Sequence, residues 1–596
     1  MADLIKDPLL VCAIDFGTTY SGYAFQFKHD YSREDPGHKI SAPQAWNDGK
    51  LQVASMKTPT CLLLDNNGHV DSFGYEAERR FSDICEDEDE DPKDWYFFKR
   101  FKMKLHDLKV LSASTLIKDE QNKEFPAIEV FSKSVLCLKD HLLDELKRKK
   151  TTVQTDDILY VLTVPAIWSD NAKDFMRQAA KRADIKDDRL AISLEPESAS
   201  LFCQFLPVDR FSVGGEAQCA LAAPGTVYMI VDLGGGTADI TVHEKLDCGK
   251  LREVHRACGG PWGGTAVDAY FIQVLSNIVS PLGMSAFMHE HCGDYLDLMR
   301  EFEVIKRNVD TTSDKTFNIK VPASLSDVSK EYMQKPLTEA VASSAYAGVM
   351  KVTGDKIKMS PCQARDLFQK VMDKVTRQME QCIDDVSKLV PARTISLILM
   401  VGGFSESPFV QQTIKNRFEG ADGMKVLIPE EAGQAVLKGA VIFGRQPDSI
   451  MSRILRYTYG AEITPPFDPA VHDQSKRTSD GKRCNNVFRP FIEQGKEVSN
   501  GYALKTIYHT TTPFQKSIAL KIFSTENDSN VKNDSNVKYT TDKGSNFVGT
   551  LTMKINPTKE LQDLKVEYVF GGTELYVIGT EVKTNHRCEA TIKMND

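Results

Sequence analysis

Two stretches of this 596-residue chain read almost alike. VCAIDFGTTYSGYAF occupies residues 11–25 and MIVDLGGGTADITV occupies 229–242. Each is an apolar, β-branched run, then an Asp-x-Gly turn with small and hydroxyl residues, then a second strand-like run. A repeated strand–turn–strand unit constrains the chain to a duplicated fold whose two turns grip one ligand. Glycines let a turn adopt positive φ and approach a ligand closely. Successive exposed N–H groups there form a concavity for anions. Thr18, Thr19 and Thr237 add hydroxyl donors. An aspartate beside a phosphate is repelled unless a cation intervenes. Asp15 and Asp232 therefore point to Mg²⁺, which favours carboxylates and retains several waters. Either turn alone reads equally well as a hairpin turn; the matched pair favours a polyphosphate. The chain has no G-x-x-x-x-G-K-[ST] and is not a P-loop protein.

The length calls for several domains. Hydrophobic content of 41 % and charged content of 26 % are those of ordinary globular protein. A net charge of −9 argues against a broad nucleic-acid or anionic-membrane surface. No apolar run reaches the ~18 residues of a membrane span, and the N-terminal residues lack a signal-peptide core. Thirteen cysteines without any C-x-x-C read as reduced thiols and a cytoplasmic location. His289-Glu290-His291-Cys292 reads as a polar loop in preference to a metal site. Asn527-Asp-Ser529 and Asn533-Asp-Ser535 match the glycosylation pattern but read as loop, within a tandem NDSNVK repeat at 527–538.

Strand and helix signals alternate from about residue 8 to 448, which gives α/β layers. The first half carries a long insertion at roughly 35–150, including the acidic run EDEDED at 86–91, expected to be a solvated loop. ILYVLTVPAIW (158–168) reads as a buried strand. A helix capped by Ser169 or Asp170 follows it, with Phe175, Ala179 and Ala183 on one face. In 192–206 a Glu-Pro pair interrupts an apolar pattern at the end of a short strand. Residues 367–390 form an amphipathic helix through Val371, Val375, Met379, Cys382, Val386 and Leu389. Next comes the apolar strand of 395–408, ending in Gly402-Gly403 before a helix start. Open α/β sheets bind ligands at such a point. Beyond about 455, period-two alternation takes over. Leu551, Met553 and Ile555, then Leu564, Val566, Tyr568 and Phe570, then Leu575 and Val577, read as antiparallel hairpins of a small β-sandwich.

DFGTTYS (15–21), TVPAIWSD (163–170), LEPESAS (194–200), VDLGGGTADI (231–240), CGGPWGGTAVD (258–268) and MVGGFSESP (400–408) carry a resemblance. In this order the chain resembles the seventy-kilodalton heat-shock family, and within it the divergent protein 12 branch with its A- and B-type members. YFFKRFKMKL at 96–105 adds to the likeness. The resemblance implies a stress-response, chaperone-like protein with an actin-like ATPase domain of duplicated ribonuclease H-like lobes at 8–448. Lobe I would cover about 8–224, lobe II about 225–400, and a return to lobe I about 401–448. A linker at 449–460 would lead to a β-sandwich at 461–596 without a helical lid. ATP or ADP and Mg²⁺ are the implied cofactors. Asp15 and Asp232 would hold Mg²⁺ through water. Thr18, Thr19, Gly234, Gly235, Gly236 and Thr237 would line the phosphates, and Gly17, Tyr20, Gly263 and Gly264 would also contact the nucleotide. Lys99 would stand near the γ-phosphate, Glu195 would order the metal shell or attacking water, and Pro165 would act as a switch. Glu303 and Lys306 would face the ribose, and Gly402, Gly403 and Phe404 the adenine.

The sequence departs from that pattern in places. Gly403-Phe-Ser-Glu406 stands where the family has an arginine stacked on adenine, and Asp310 where it has a serine. The acidic, leucine-rich linker is replaced by SIMSRILRYTYG at 449–460, which leaves nucleotide-driven coupling between domains an open matter. Three functions are consistent with these residues. The leading one is an ATP-binding, chaperone-like protein with slow Mg-dependent hydrolysis. A nucleotide-gated adaptor with incidental hydrolysis is the second. A small-molecule kinase of the same fold is the third, for which the sequence shows no acceptor motif.

Overall fold

The computed structural model describes residues 7–591 except 38, 44–45, 47–55, 108–110, 113, 208–209, 212–220, 222, 390–392 and 527–536. The tandem repeat and both glycosylation patterns fall outside these residues, apart from the last two repeat positions.

The repeated text becomes repeated topology. In the first sheet Leu10–Phe16 pairs antiparallel with Tyr20–Phe27 and parallel with Ile158–Val164, which in turn pairs parallel with Leu190–Leu194. In the second, Val227–Leu233 pairs antiparallel with Ala238–Lys245 and parallel with Leu397–Val401, followed by Lys425–Leu427. Asp15 lies opposite Gly22 and Asp232 opposite Asp239, each one pair from the end of its hairpin ladder. Ile158–Val164 and Leu397–Val401 are buried throughout, as continuous apolar runs covered by helices on both faces should be.

Helices Glu195–Cys203 and Ala435–Arg445 lie between the two sheets. Their apolar residues share one core with Val11, Ala13 and Val161 of the first sheet and Tyr228, Ile230 and Leu399 of the second. The two helices cross so closely that a Cβ at Gly439 would overlap the carbonyl of Ser198. Ala127–Arg148 and Asp170–Arg182 cover the outer face of the first sheet. Ser169 caps the latter, its hydroxyl accepting from Ala172 N. Gly264–Val279 and Pro361–Leu389 cover the outer face of the second. The long helix begins earlier than its apolar spacing indicates, and Leu389, expected on its buried face, is exposed at the last position.

Lys425–Leu427 remains in the second sheet, so the chain recrosses to the first only with Ala435–Arg445, later than the expected return near 401. Likewise, Ala127–Arg148 belongs to the core of the first sheet although it lies inside the stretch read as an insertion. The remainder of that stretch forms a small sheet of Cys61–Leu64, Val70–Phe73 and Tyr96–Lys99, with helix Tyr75–Glu86 against it. The acidic run that follows is largely exposed, with Glu90 paired to Arg80 at 2.8 Å.

Residues 458–591 form two four-stranded antiparallel sheets. One is Val487–Ile492, Thr458–Ile463, Ser517–Thr525 and Ser545–Lys554; the other is Tyr502–His509, Asp563–Phe570, Tyr576–Glu581 and Arg587–Thr591. Their inward residues meet in one core, with Leu551 and Met553 from one sheet and Leu564, Val566, Tyr568 and Phe570 from the other. The connecting segment is itself a strand. Ile450–Ile454 adds to the second sheet parallel to Leu251–Gly260, and Glu497–Ser499 closes the edge beyond it. No single helix among the described residues is long and apolar enough to cross a membrane.

Candidate functional site between the two sheets

The twin turns face one another. A Cβ on Gly235 would strike the Thr19 hydroxyl, and one on Gly236 would strike that of Thr18. Each glycine therefore admits a hydroxyl from the opposite turn where a side chain would otherwise stand. Amides of the next turn brace the second one: Gly263 N, Gly264 N and Thr265 N donate to the carbonyls of Gly236, Gly234 and Gly235 at 3.2, 3.1 and 2.8 Å. In the first turn Gly17 O accepts from the Thr60 hydroxyl at 2.7 Å.

Behind the turns stand three buried carboxylates and a fourth, that of Glu195, which is slightly open. Asp15 accepts from Thr163 Oγ1 at 2.9 Å and from Lys57 Nζ at 2.6 Å. Lys57 also donates to Gly433 O at 2.7 Å. Burial pushes the Asp15 carboxyl up, but Lys57 and then Lys102 bring it below its ordinary value. Glu195 opens its helix beside Pro196 and pairs with Lys102 at 2.7 Å. Burial raises Glu195 to about 7 against the pull of Lys102, with Asp15 and Asp239 adding to the rise. Asp232 lies well above its ordinary value through burial and the repulsion of Glu195, Asp239 and Asp15. Asp239 is raised by burial; it accepts from Ile167 N at 3.0 Å and from the Thr237 hydroxyl.

Four carboxylates thus converge on two lysines, Lys57 and Lys102. Buried charges are tolerated when paired or when they hold a metal. The excess of acid over base fits a divalent cation bound between Asp15 and Asp232. The backbone also fits: Gly402, at φ +86°, passes over Asp232 so closely that a Cβ would overlap its Oδ1.

The structure brings together Asp15, Gly17, Thr18, Thr19, Glu195, Asp232, Gly234, Gly235, Gly236, Thr237, Gly263 and Gly264. It places Lys99 elsewhere, paired with Glu78 at 2.7 Å. The lysine beside Glu195 is Lys102, buried and 5.2 Å from the centre of the Trp168 ring. The reason is local. Arg100, at φ +54°, reverses the chain after strand Tyr96–Lys99, and the short turn Phe101–Met103 carries Lys102 inward. Sequence reasoning also missed Lys57 and Asp239; only the position of Asp239, opposite Asp232 in a strongly marked hairpin, offered a signal.

Toward the far end of the cleft, Lys306 pairs with Glu303 at 2.5 Å and with Asp268 at 2.7 Å. Arg100, following the strand Tyr96–Lys99, meets Asp268 at 2.8 Å. The Glu303–Lys306 pair is therefore part of an ion network through Asp268 to Arg100, and Lys306 is buried. Tyr20 lies 5.9 Å from the Arg307 guanidinium, measured to the ring centre. Phe404 is buried against Phe368, ring centres 6.0 Å apart, and backs Gly264. Gly403 has open space at its Cβ position. Asp310 spends its carboxylate on its own loop, accepting from Thr312 N at 2.8 Å and Ser313 N at 2.5 Å. His289 and Glu290 end one helix and Cys292 starts the next, so the expected polar loop is a helix junction. There Asn122 reaches across to His289 at 2.6 Å.

The C-terminal domain rests on this same machinery. Arg453 of the connecting strand meets both oxygens of Glu197 at 2.7 Å. Glu253, raised to about 8 by burial and by Glu197, accepts from Ile454 N at 2.8 Å. Arg456 donates to the carbonyl of Ile167, whose own amide holds Asp239. Arg177 grips Glu574 at 2.7 and 2.5 Å, Tyr459 donates to Asp170 at 2.7 Å, and Asn171 to Phe547 O at 2.6 Å. The residues 163–168, expected to carry a switch at Pro165, thus lie between the carboxylates and the connecting segment.

Paired Asp-Gly turns, backed by buried carboxylates and joined to a C-terminal β domain, define a class of proteins with one site between two related sheets. The chain belongs to the heat shock 70 kDa protein family, in its protein 12 branch. It is 30 % identical to heat shock 70 kDa protein 12B of Homo sapiens over 98 % of this chain and 90 % of that protein. It is 31 % identical to protein 12A of the same species, over 97 % and 90 %. The mitochondrial heat shock protein SSC3 of Saccharomyces cerevisiae is 24 % identical over 61 % of this chain and 47 % of that protein. A domain of unknown function, DUF8340, matches residues 223–430.

Proposed function

We propose that this protein binds Mg-ATP in the cleft of a two-lobed, actin-like ATPase domain and hydrolyses it slowly, with a β-sandwich domain serving clients or partners. The carrying observation is the group of Asp15, Asp232, Asp239 and Glu195 beside two opposed glycine turns, offset among the described residues chiefly by Lys57 and Lys102, with Arg456 acting on Asp239. Bound Mg²⁺ would neutralise the excess charge and draw electron density from the phosphates. The turns at 17–19 and 234–237 would cradle those phosphates with amides and hydroxyls. Lys102 would offset charge developing on the transferred group. Glu195, poised near neutrality, is suited to orient or deprotonate the attacking water. Phosphoryl transfer asks mainly for such positioning and charge stabilisation.

Calorimetric titration of the full chain with ATP and ADP, with Mg²⁺ and with EDTA, tests the reading. Mg-dependent binding is expected; heats that are flat for every nucleotide would refute it.

A second reading, a nucleotide-gated adaptor, is favoured by the base end of the cleft. Phe404 is turned into the core where the family's arginine is absent, which leaves that end of the cleft without a cation to stack on a base. Binding without phosphate release would select it.

A further inference from the structure

A second cluster of metal-ligating side chains lies away from the cleft. His255 and Cys258 stand on strand Leu251–Gly260, and Cys382 on the long helix packed over it. Residues three apart on a regular strand point to opposite faces. Here a bulge intervenes: Cys258 lies opposite Ile240 and His255 opposite Val242, three residues against two. Bulges of this kind re-aim side chains. As a result one donor atom from each of His255, Cys258 and Cys382 lies within 4.8 Å of the other two.

We propose that His255, Cys258 and Cys382 bind one zinc ion, with a water as fourth ligand, pinning helix Pro361–Leu389 to strand Leu251–Gly260. A tetrahedral ion with ~2.3 Å bonds to sulfur and ~2.0–2.1 Å to nitrogen separates the two donors by about 3.5 Å. Cys382 Sγ and His255 Nδ1 are 3.5 Å apart. The other imidazole nitrogen, Nε2, lies 3.7 Å from Asp385 Oδ2. A metal-bound histidine is ordinarily held by a carboxylate at just that nitrogen. His255 and Cys382 are buried, while Cys258 is partly open, which leaves access for ion and water.

The test uses the full chain purified from zinc-supplemented culture. Elemental analysis should find about one zinc per chain, since structural sites of this type bind tightly at neutral pH. C258S and C382S should lose it, and C248S with C362S, both exposed thiols, should keep it. Asp385→Asn should weaken zinc affinity by roughly 10–100-fold. Cobalt loading of the apo-protein needs no variant and reports on sulfur: a thiolate-to-cobalt charge-transfer band in the near ultraviolet is expected. Cobalt bound by the cleft carboxylates would lack that band. Zinc-free wild type with no charge transfer on reconstitution would overturn the site, as would a Cys258–Cys382 disulfide in freshly purified protein.

Discussion

Glu195 and Glu197 occupy one turn of a single buried helix and face different partners, Lys102 within the cleft and Arg453 of the connecting strand. Two residues apart on a helix do not share a face. The helix therefore presents one carboxylate to the phosphate site and the other to the segment leading to the C-terminal domain. A change in charge or position at Glu195 has a rigid path of less than one turn to the interdomain ion pair.

Arg453→Ala should separate the domains. The Arg453–Glu197 pair is buried at both ends, so removing one partner strands a carboxylate at a cost of about 3–5 kcal/mol. Protease sensitivity near 449–460 should rise and thermal stability fall, while Arg453→Met paired with Glu197→Gln should recover much of the loss. A double variant as unstable as the single one would contradict this assignment.

Lys102 and Lys99 should behave differently. Lys102→Ala should lower single-turnover phosphate release by about 100-fold or more, the scale of losing one charge-stabilising group. Lys99→Ala should leave the rate within a few-fold and lower stability, since it exposes Glu78 without its nearest partner. Equal loss in both variants would restore Lys99 to the cleft.

Asp15→Asn and Asp232→Asn should each abolish Mg-dependent nucleotide hydrolysis while the chain stays folded. For Asp232, whose carboxyl is already pushed up by burial and like charges, removing the charge should raise the melting temperature without ligand. Differential scanning calorimetry with and without Mg-ATP reads both effects: a more stable apo-protein and a smaller ligand-induced shift. A full shift in either variant would contradict the assignment.

The contribution of Glu195 to stability should fall as pH rises from about 4.5 to 7, opposed between about 4 and 6.5 by His243, whose imidazole is lowered from 6.5 to about 4 by burial. Glu195 moves from an ordinary value of 4.5 to about 7 on folding, so the folded chain holds the extra proton across that window. Stability is greatest where the group is protonated in both states and declines until both have ionised. Glu253, raised to about 8, extends the slope. In denaturant melts taken across pH, Glu195→Gln should make stability rise with pH over the lower window relative to the wild type, and Glu253→Gln should flatten the upper part; an unchanged slope in both would rule these groups out.

Much of this architecture is legible in the residues. The twin runs at 11–25 and 229–242 fix two hairpins with their aspartates at matching places, because a β-branched run and a glycine turn leave little else to form. Ser169 caps its helix as its side chain and place suggest. What escapes is whatever depends on a single backbone reversal or on distant approach. The positive φ of Arg100 moves the cleft lysine three residues along, and nothing in YFFKRFKMKL marks that turn. Lys57 reaches Asp15 from an insertion without periodic pattern. The bulge in Leu251–Gly260 brings His255 and Cys258 to one side against the strand's own period.

The connecting strand has a further consequence. Ile450–Ile454 pairs with Leu251 and Arg252 at the start of the ten-residue strand Leu251–Gly260, and Glu497–Ser499 pairs in turn with Ser452–Ile454. Unpaired strand flanks are templates for foreign chains. Undocking the C-terminal domain would therefore do more than loosen a joint: it would strip the start of that strand, at Leu251 and Arg252, of its backbone partner.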